Sequence, residues 1–294
     1  MINLLITGKD SYIGTQVEHY LSQFTGAYRV DTLDMLDANW RSQNLSQYDS
    51  VFHVAGIAHS DSGKISPEKA SLYYYVNTEL TVETARLAKN AGVKHFIFMS
   101  SMIVYGESAP IGQTKHITAK TKPNPTNAYG DSKLQAEIGL TQLADVDFNI
   151  CILRPPMIYG KGCKGNYPTL SKMAQKLPFF PDIKNERSML YIEHLCNAVK
   201  QIIDRRLAGV YFPQNAEYFS TTEMIRIIAE THGRSILTTR LFNPLIRALG
   251  KKIGLITKAY GNLTYDQSLS AMPEPYNIYT LRQTLEKTEQ RLAR

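Results

Sequence analysis

The chain has 294 residues, of which 43% are hydrophobic and 20% are charged, so it can bury the core of one large domain or about two smaller ones. Its net charge of +7 comes without a compact block of lysines and arginines, which argues against nucleic acid and favours a small anionic ligand. No apolar run approaches the ~18 residues of a membrane span, and the first residues lack signal-peptide features, so we expect a cytoplasmic protein.

The cysteines and histidines do not form a metal-binding pattern. Cys151, Cys163 and Cys196 are odd in number and contain no CxxC pair, so we expect reduced, structural thiols rather than disulfides or a zinc site. His53 lies inside an apolar run without another ligand at metal spacing, and His59 is no stronger a candidate. We interpret His53 as a hydrogen-bonded core residue and predict no metal.

The chain begins with a predicted strand over residues 2–7 that stops at a glycine and is followed by apolar residues at helical spacing. Such a strand, turn and helix start presents backbone N–H groups and the positive end of a helix to an anion. A dinucleotide pyrophosphate is the anion that this geometry suits. The residues expected beside it are Gly8, Ser11, Tyr12, Ile13 and Gly14.

A second strand is predicted over residues 28–33 and ends at Asp34. This carboxylate stands twenty positions after Gly14, where an acidic residue binds the ribose 2′-hydroxyl of NAD and repels the 2′-phosphate of NADP. Asp34 therefore favours NAD over NADP. Asp31 and Asp37 compete for this role, and a solvated turn carboxylate is an alternative interpretation of Asp34.

The following segment continues the alternation of strands and helices. A buried strand over residues 51–54 runs into Ala55 and Gly56, whose small size suits a backbone that passes close to a cofactor. Residues 73–90 have helical spacing, and Asn77 within them is either a surface residue or a buried amide that ties down the cofactor loop. We count four strand–helix–strand repeats in the first third of the chain, which predicts a parallel sheet covered on both faces.

The next strand carries the strongest candidates for chemistry. It covers residues 96–99, and Ser101 follows at its carboxyl end, where ligands collect in open α/β sheets. If a helix begins after Pro125, Tyr129 and Lys133 lie one turn apart on the same face. An ammonium favours a nearby phenolate, so we expect Lys133 to lower the pKa of Tyr129 and make it a usable acid or base. An exposed tyrosine beside a solvated lysine is the alternative.

Glycines and prolines interrupt the pattern over residues 160–181, as expected where a second lobe begins to build a substrate cleft. We assign residues 1–160 to a dinucleotide-binding domain and residues 161–294 mainly to a substrate-binding lobe, with the elements around 188–205 returning to the first domain. Residues 241–260 form a basic amphipathic pattern. They either contact an anionic membrane weakly or form a lobe helix with a solvated lysine face.

Six motifs occur in the order and spacing of one family. They are Thr7-Gly8…Gly14, His53-Val54-Ala55-Gly56, Ser100-Ser101…Val104-Tyr105-Gly106, Tyr129-Gly130-Asp131-Ser132-Lys133, Leu153-Arg154-Pro155 and Arg187…Tyr191-Ile192-Glu193. Residues 1 to about 200 thus resemble the extended short-chain dehydrogenase/reductases, the NAD-dependent epimerase/dehydratase family. Ser11 departs from the pattern, because it stands where the family's middle glycine is expected. The resemblance implies an α/β fold, a Rossmann-type doubly wound parallel sheet with a smaller C-terminal substrate-binding lobe.

The resemblance also implies a role for each matched residue. The implied catalytic residues are Ser101, Tyr129 and Lys133. The residues implied to bind NAD or NADP are Gly8, Ser11, Tyr12, Ile13, Gly14, Asp34, Ala55, Gly56, Asn77, Tyr129, Lys133 and Pro156. The residues implied to bind a UDP-sugar substrate are Ser101, Met102, Asn166 and Arg187, of which the last two would face the diphosphate.

Residues 154–160, together with Gly165-Asn166, resemble capsule and O-antigen proteins that reduce the C4 ketone of a UDP-linked 4-keto-6-deoxy-N-acetylhexosamine. That reaction forms UDP-N-acetylfucosamine or UDP-N-acetylquinovosamine. The alternative is an NAD-dependent 4-epimerase of the UDP-glucose or UDP-N-acetylglucosamine type. Family members that act as 4,6-dehydratases carry an Asp-Glu pair where this chain has Met102-Ile103, so that reaction is disfavoured. A dinucleotide-binding regulator without turnover is the alternative of another class, and a homodimer is a further hypothesis.

Overall fold

The computed structural model describes residues 1–58, 65–241, 243, 244, 246 and 260–290. Its strands are β1 (Ile2–Thr7), β2 (Tyr28–Leu33), β3 (Ser50–His53), β4 (His95–Met99), β5 (His116–Ile117), β6 (Asn149–Leu153), β7 (Met157–Tyr159), β8 (Phe179–Pro181), β9 (Met189–Tyr191), β10 (Gly209–Tyr211), β11 (Leu237–Thr239) and β12 (Thr264–Tyr265). Its α-helices are α1 (Tyr12–Ser22), α2 (Pro67–Tyr74), α3 (Leu80–Asn90), α4 (Ala128–Thr141), α5 (Tyr167–Lys176), α6 (Ile192–Arg205), α7 (Thr221–Thr231) and α8 (Leu281–Glu289).

The central sheet has six parallel strands in the order β2-β1-β3-β4-β6-β10. The chain runs outward from β1 to β2 and then returns to β3 on the other side of β1. Strand order therefore reverses between β1 and β3, and in open α/β sheets the ligand crevice lies at such a switch point. The predicted α/β fold with a parallel sheet is confirmed.

Both faces of the sheet are covered by helices, as the side chains of β4 show. Ile97 and Met99 pack into a core that includes residues of α6, whereas Phe96 and Phe98 pack into a separate core with residues of α3 and α4. Successive residues of a strand point to opposite faces, so a strand covered on both faces must be apolar throughout. This is why residues 96–99 of β4 are an unbroken apolar run, and why the polar residues Ser50 and His53 of β3 are buried and hydrogen-bonded.

The predicted number of strand–helix–strand repeats is wrong. The connection from β2 to β3 contains only a short 3₁₀ turn, Trp40–Ser42, and no α-helix. This polar segment buries few large side chains, among them Trp40 and Leu45, so it lacks the apolar stripe that a covering helix needs. The connection from β3 to β4 is instead two α-helices, α2 and α3, joined by the π-helical turn Tyr75–Glu79.

The C-terminal part contains short two-stranded sheets, β7 with β9, β8 with β11 and β5 with β12. It also sends α6 back to pack against α1, and β10 joins the central sheet beside β6. One hydrophobic core extends from Leu4 in β1 to Leu285 in α8, so the division of the chain at residue 160 stays a prediction. The three cysteines are buried and unpaired, as expected for structural thiols.

Over the described ranges, no helix is both long enough and apolar enough to cross a bilayer. Most of residues 241–260 and the side chain of His59 lie outside those ranges. The hypotheses about a basic amphipathic helix and about His59 therefore stay as the sequence left them.

Helices α3 and α4 pack closely because Gly139 has no side chain. A Cβ atom at this position would lie 2.6 Å from Cγ2 of Val82. We expect Gly139→Ala to lower the free energy of unfolding, because ~1–3 kcal/mol of overpacking exceeds the ~1 kcal/mol gained in helix propensity. Urea unfolding measures this, and Val82→Ala/Gly139→Ala should be more stable than Gly139→Ala alone. A single variant as stable as the wild type would contradict the packing argument.

Candidate active site

The predicted site residues lie at one edge of the central sheet. All strands of this sheet are parallel, so their carboxyl ends open on the same side. Gly8 follows β1, Ala55 lies just beyond β3, Ser101 just beyond β4 and Pro156 just beyond β6. The fold therefore brings together residues that are far apart in the sequence.

Two glycines mark close approaches where β1 leads into α1. Gly8 has φ +85°, and a Cβ atom there would lie 3.0 Å from both N and Cα of Ala55, which leaves no room for a side chain. A Cβ atom on Gly14 would lie 3.1 Å from Cγ2 of Ile6 in β1. These contacts hold the start of α1 against the ends of β1 and β3, at the switch point of the sheet.

The N-terminus of α1 can bind an anion through its backbone. Ser11 is the N-cap, and its hydroxyl accepts a hydrogen bond from the N–H of Gly14 at 3.2 Å. Helix geometry leaves the N–H groups of Tyr12 and Ile13 without intrahelical acceptors. These amides and the glycine turn fit the pyrophosphate of a dinucleotide. The N–H of Gly14 is engaged by Ser11, so one donor fewer is left for a phosphate at this helix start.

The hydroxyl of Tyr12 is buried and has no hydrogen-bond partner among the described residues. Burial raises its pKa, so the phenol stays protonated. A Cβ atom on Gly160 would lie 2.8 Å from this oxygen. The side chain of Tyr12 therefore reaches from the cofactor turn to the beginning of the C-terminal part of the chain.

Among the three candidate aspartates, Asp34 lies beside the glycine turn. The N–H of Gly8 donates to the carbonyl of the residue just before Asp34 at 3.0 Å, and the Asp34 carboxylate is exposed. Asp31 instead accepts a hydrogen bond from the Tyr48 hydroxyl at 3.1 Å. Asp34 and Asp37 each accept a hydrogen bond from the backbone N–H two residues further on, at 2.9 Å and 2.8 Å, so this contact does not distinguish them. Position alone thus favours Asp34 as a ribose ligand, and that role stays a prediction.

Asn77 is fully buried, in the π-helical turn, and it ties the loop after β3 to α4. Its Oδ1 accepts from the N–H of Ile57 at 2.9 Å, and its Nδ2 donates to the Ile57 carbonyl at 3.1 Å and to Ser132 Oγ at 3.2 Å. A Cβ atom on Gly56 would lie 2.9 Å from Asn77 Oδ1 and 3.2 Å from Lys133 Nζ. Of the two interpretations of Asn77, the buried amide is confirmed.

The predicted helix after Pro125 is confirmed as α4, with Asn127 as its N-cap. Tyr129 and Lys133 lie one turn apart in it. Tyr129 is hydrogen-bonded to Ser101, and its ring centroid lies 5.9 Å from that of Tyr73. The structure therefore brings the predicted serine and tyrosine into direct contact at the end of β4.

The ammonium of Lys133 lies between the ends of β3 and β4. Its Nζ donates to the carbonyl of Met99 at 2.9 Å and lies 4.7 Å from the ring centroid of Phe98. The side chain is only 6% exposed, and this burial lowers the pKa of Lys133 to about 8, although the nearby carboxylate of Glu137 opposes the shift. Because the pKa of Lys133 remains above 7, this buried ammonium stays charged at neutral pH.

The expected lowering of the Tyr129 pKa is wrong for the chain alone. Burial raises the pKa of Tyr129, and the hydrogen bond from Ser101 opposes this only in part. The ammonium of Lys133 donates to the Met99 carbonyl. The loss of water around Tyr129 destabilises its phenolate form more than the neighbouring groups stabilise it. Tyr129 is therefore a protonated acid at neutral pH.

Met102 and Pro156 pack where β4 and β6 end. Met102 begins a 3₁₀ turn capped by Ser101, and its N–H donates to the Pro155 carbonyl at 2.8 Å. Its side chain is buried with Tyr105 in a small cluster. Pro156 is buried as well. Both residues shape the wall beside Ser101.

The two predicted diphosphate residues belong to the C-terminal part of the chain. Asn166 is exposed just before α5, and its side chain does not cap that helix. Arg187 is half-buried, its N–H donates to the Phe219 carbonyl at 2.9 Å, and burial lowers its pKa to about 10. Burial weakens the hydration of this guanidinium, which strengthens any ion pair it forms.

Two open clefts lie elsewhere in the described structure. One of about 410 Å³ is lined by residues that include Lys184 and Glu223, and one of about 360 Å³ by residues that include Lys161 and Lys287. Neither is lined by the catalytic candidates, so the assignment of the site rests on hydrogen-bond geometry rather than on cavity size. The described residues contain no cluster of three potential metal ligands. His53 is a buried core residue, bonded to Thr7, and burial lowers its pKa to about 3, as its interpretation requires.

Sequence reasoning missed a buried ion pair between Glu137 and Arg154 beside the catalytic candidates. A signal was present, because Glu137 continues the four-residue spacing of Tyr129 and Lys133 on the same helix face. A glutamate on a face that must be buried needs a partner, and the partner lies on a different element.

Comparison with known proteins identifies relatives over most of the chain. A model of the "NAD dependent epimerase/dehydratase family" matches residues 4–211. The UDP-glucose 4-epimerase of Vibrio cholerae is 33% identical over 250 residues, which are 77% of this chain and 75% of the relative. The N-acetyl-alpha-D-glucosaminyl-diphospho-ditrans,octacis-undecaprenol 4-epimerase of Escherichia coli O157:H7 is 28% identical over 284 residues, 88% of this chain and 81% of the relative.

Solved structures with the same fold include epimerases and reductases. A UDP-glucuronic acid 4-epimerase from Bacillus cereus in complex with NAD has a TM-score of 0.73 at 19% identity and covers 98% of this chain and 97% of its own. A dTDP-4-dehydrorhamnose reductase from Bacillus anthracis in complex with NADP has a TM-score of 0.71 at 18% identity, with 98% of each chain covered. At such identity the likeness shows the fold. The family model matches more than half of the sequence, so the chain belongs to the NAD-dependent epimerase/dehydratase family and is an NAD(P)-dependent enzyme that acts on nucleotide sugars.

Proposed function

We propose that this chain transfers hydride at C4 of a UDP-linked hexose, with Ser101, Tyr129 and Lys133 as its catalytic residues. The observation that carries the proposal is the hydrogen-bonded pair of Ser101 and Tyr129 at the carboxyl edge of the sheet, beside a buried ammonium. A binding module without turnover needs none of these three groups. The glycine turn on the same edge fits the dinucleotide.

Each catalytic residue has a separate task. Bound NAD(P) supplies the hydride acceptor or donor. Tyr129 moves a proton to or from the C4 oxygen, and its raised pKa keeps the proton on the phenol until the oxygen needs it. Ser101 donates a second hydrogen bond to the same oxygen as charge develops there. The ammonium of Lys133 favours the phenolate that remains when Tyr129 has given up its proton.

The specific reaction we propose is reduction of the C4 ketone of a UDP-linked 4-keto-6-deoxy-N-acetylhexosamine, for surface polysaccharide synthesis. The resemblance of residues 154–160 and of Asn166 to such reductases supports it. The cap formed by Ser11 supports it as well, because its hydroxyl occupies the N–H of Gly14 and leaves the pyrophosphate one donor fewer. A reductase must exchange oxidised for reduced dinucleotide at every turnover, which weaker binding of the pyrophosphate favours.

A 4-epimerase is the second candidate, and the names of both curated relatives favour it. In that reaction the bound dinucleotide would accept the hydride from C4 and return it to the opposite face of the sugar, while the same residues take the proton from the C4 hydroxyl and give it back to that oxygen. Such an enzyme gains from holding its dinucleotide tightly. A 4,6-dehydratase finds no support, since Met102 and Ile103 cannot move a proton. A homodimer and a cytoplasmic location stay predictions from the sequence.

The deciding experiment supplies a 4-keto UDP-sugar with NADH or NADPH, follows the loss of absorbance and identifies the product by NMR. A parallel assay offers UDP-N-acetylglucosamine without reductant, and mass spectrometry of the protein as isolated reports bound NAD. We expect stoichiometric reduction, little bound NAD and no epimerisation. Steady epimerisation with full NAD occupancy would establish the second candidate, and no turnover in either assay would overturn the proposal.

Tyr129→Phe tests the proton transfer. The variant loses the phenolic proton and keeps the ring, so we expect turnover to fall by about 10²- to 10⁴-fold, the usual range for general acid–base catalysis. Dinucleotide affinity should stay within about twofold, because the glycine turn lies on a different element. Retained activity would remove Tyr129 from the mechanism.

Arg187→Ala tests the diphosphate contact. We expect UDP-sugar binding to weaken by roughly 1.5–3 kcal/mol, the scale of a hydrogen bond to a charged group, with unchanged dinucleotide affinity. Titration calorimetry measures both constants. Arg226→Ala is the control, because this arginine is exposed on α7 and should change neither. Equal weakening of both ligands would make Arg187 a structural residue.

Lys133→Met tests the cost of burying the ammonium. The folded pKa of about 8 lies below the ordinary 10.5, so between these values the unfolded chain holds a proton that the folded chain has lost. The unfolding free energy of the wild type should therefore rise with pH across this window, by on the order of 3 kcal/mol relative to Lys133→Met. Other titrating groups are common to both proteins. Parallel pH profiles in urea unfolding would show that Lys133 is not desolvated.

A further inference from the structure

A carboxylate lies deep in α4, below the catalytic residues. Glu137 is 3% exposed and follows Lys133 by one helical turn. It accepts hydrogen bonds from Ser100 Oγ, from Arg154 Nε, which lies 3.1 Å from each carboxylate oxygen, and from Arg154 Nη2 at 2.5 Å. Both oxygens are therefore engaged by donors from the ends of two neighbouring strands.

The guanidinium of Arg154 is enclosed in the same way. Its side chain is 11% exposed, and Nη1 donates to the hydroxyl of Tyr105 at 2.6 Å. The guanidinium carbon lies 5.3 Å from the ring centroid of Tyr105 and 5.8 Å from that of Phe212. Both charges of the pair are thus removed from water, between aromatic rings and strand ends.

The ion pair reaches the segment of the catalytic serine at both of its ends. Ser100, which donates to Glu137, immediately precedes Ser101. Tyr105, which accepts from Arg154, ends the 3₁₀ turn that Ser101 caps. The ion pair therefore holds residues on both sides of Ser101 in the chain without touching Ser101 itself.

The same arginine links this segment to the C-terminal part of the chain. The hydroxyl of Tyr265 donates to the backbone carbonyl of Arg154 at 2.9 Å. The N–H of Tyr265 donates to Ser188 Oγ at 2.9 Å, next to Arg187. A shift of Arg154 would thus move groups on both sides of the proposed site.

Stability does not account for such a pair. A buried ion pair often contributes no more than apolar side chains of similar volume, although removal of one partner alone is costly. Here both partners hold residues of the segment around Ser101, because Ser100 donates to Glu137 and Tyr105 accepts from Arg154. The charge of Glu137 also opposes the drop in the Lys133 pKa caused by burial.

We propose that Glu137 and Arg154 are positioning residues. Their ion pair holds the Ser101 hydroxyl against Tyr129 and holds the face of α4 that carries Lys133. The inference rests on the proposed catalytic role of these three residues. It assigns Glu137 and Arg154 no contact with the sugar and no proton transfer.

The test compares Glu137→Gln with the apolar double variant Glu137→Leu/Arg154→Leu. The measurements are the urea unfolding midpoint, dinucleotide affinity by calorimetry, and kcat and KM in the assay that the enzyme supports. We expect Glu137→Gln to lose stability, and the double variant to regain much of it because no charge is left unpaired. In both variants kcat should fall about 100-fold, the effect of moving a reacting group by ~1 Å, with KM and dinucleotide affinity within about threefold.

Glu289→Gln is the matched control. The Glu289 side chain is 6% exposed, and its carboxylate accepts hydrogen bonds from Tyr167, Ser171 and His232, each at 2.8 Å. We expect this variant to lose stability as Glu137→Gln does, with kcat unchanged. It separates the effect of a destabilised fold from the effect of a displaced serine.

A double variant that regains both stability and kcat would overturn the inference, because the pair would then be structural only. If Glu137→Gln does not fold, the double variant decides by itself. Ser101→Ala and Tyr129→Phe separate failure of the catalytic assignment from failure of the positioning role. If these two variants keep full turnover, the proposed catalytic residues are wrong, whatever the ion-pair variants do. If they lose turnover while the ion-pair variants keep it, only the positioning role fails.

Discussion

The site depends on keeping an ammonium charged in a place where water does not reach it. Lys133 is nearly fully buried, which lowers its pKa, yet only to about 8, because the charge of Glu137 opposes the effect of burial. The ammonium also donates to the Met99 carbonyl and lies near the Phe98 ring. The absence of a side chain at Gly56 leaves room for this ammonium beside Asn77. These surroundings allow the ammonium to remain charged although it is buried.

Local patterns predicted the parts of the fold that depend on local structure. The bounds predicted for β1 and β2 are those of the structure, and β1 is a largely apolar run that stops at Gly8. Helix α4 begins after Pro125, as the four-residue spacing of Tyr129 and Lys133 requires. The π-helical turn that turns Asn77 inward has no such signature, since its residues fit an ordinary helix equally well. The helix that the predicted strand–helix alternation implies between β2 and β3 is absent, because residues 34–49 lack the apolar stripe that a covering helix needs.

The electrostatics of the site could not be predicted from spacing. The separation of Tyr129 and Lys133 says that two groups share a face, but the sign of a pKa shift depends on how much water each group has lost. That loss is set by elements distant in sequence, such as Tyr73 beside Tyr129. The partner of Glu137 follows seventeen positions later, on a different strand end, so only the folded chain brings the two charges together.

Reduction and epimerisation at C4 use the same acid, the same hydrogen-bond donor and the same cation. One difference between them is whether the dinucleotide must leave after each turnover, and under the proposed function the glycine turn contributes to how tightly it is held. Ser11 is the residue where this chain leaves the family pattern, and its hydroxyl accepts from the N–H of Gly14 at the start of α1, where the pyrophosphate is proposed to bind. Under the proposed function, a side chain outside the catalytic group thus affects which of the two reactions is favoured.

Within the described ranges, β2 is an outer strand of the central sheet, and no strand pairs with its free edge. An outer strand exposes unpaired backbone groups, which invite strands of other molecules to add to it. Alternate residues of β2 are charged: Arg29 and Asp31 lie 3.6 Å apart, with side chains 57% and 36% exposed. Adding another molecule's strand would have to strip water from these charges, so the charged side chains of β2 protect this edge of the sheet against aggregation.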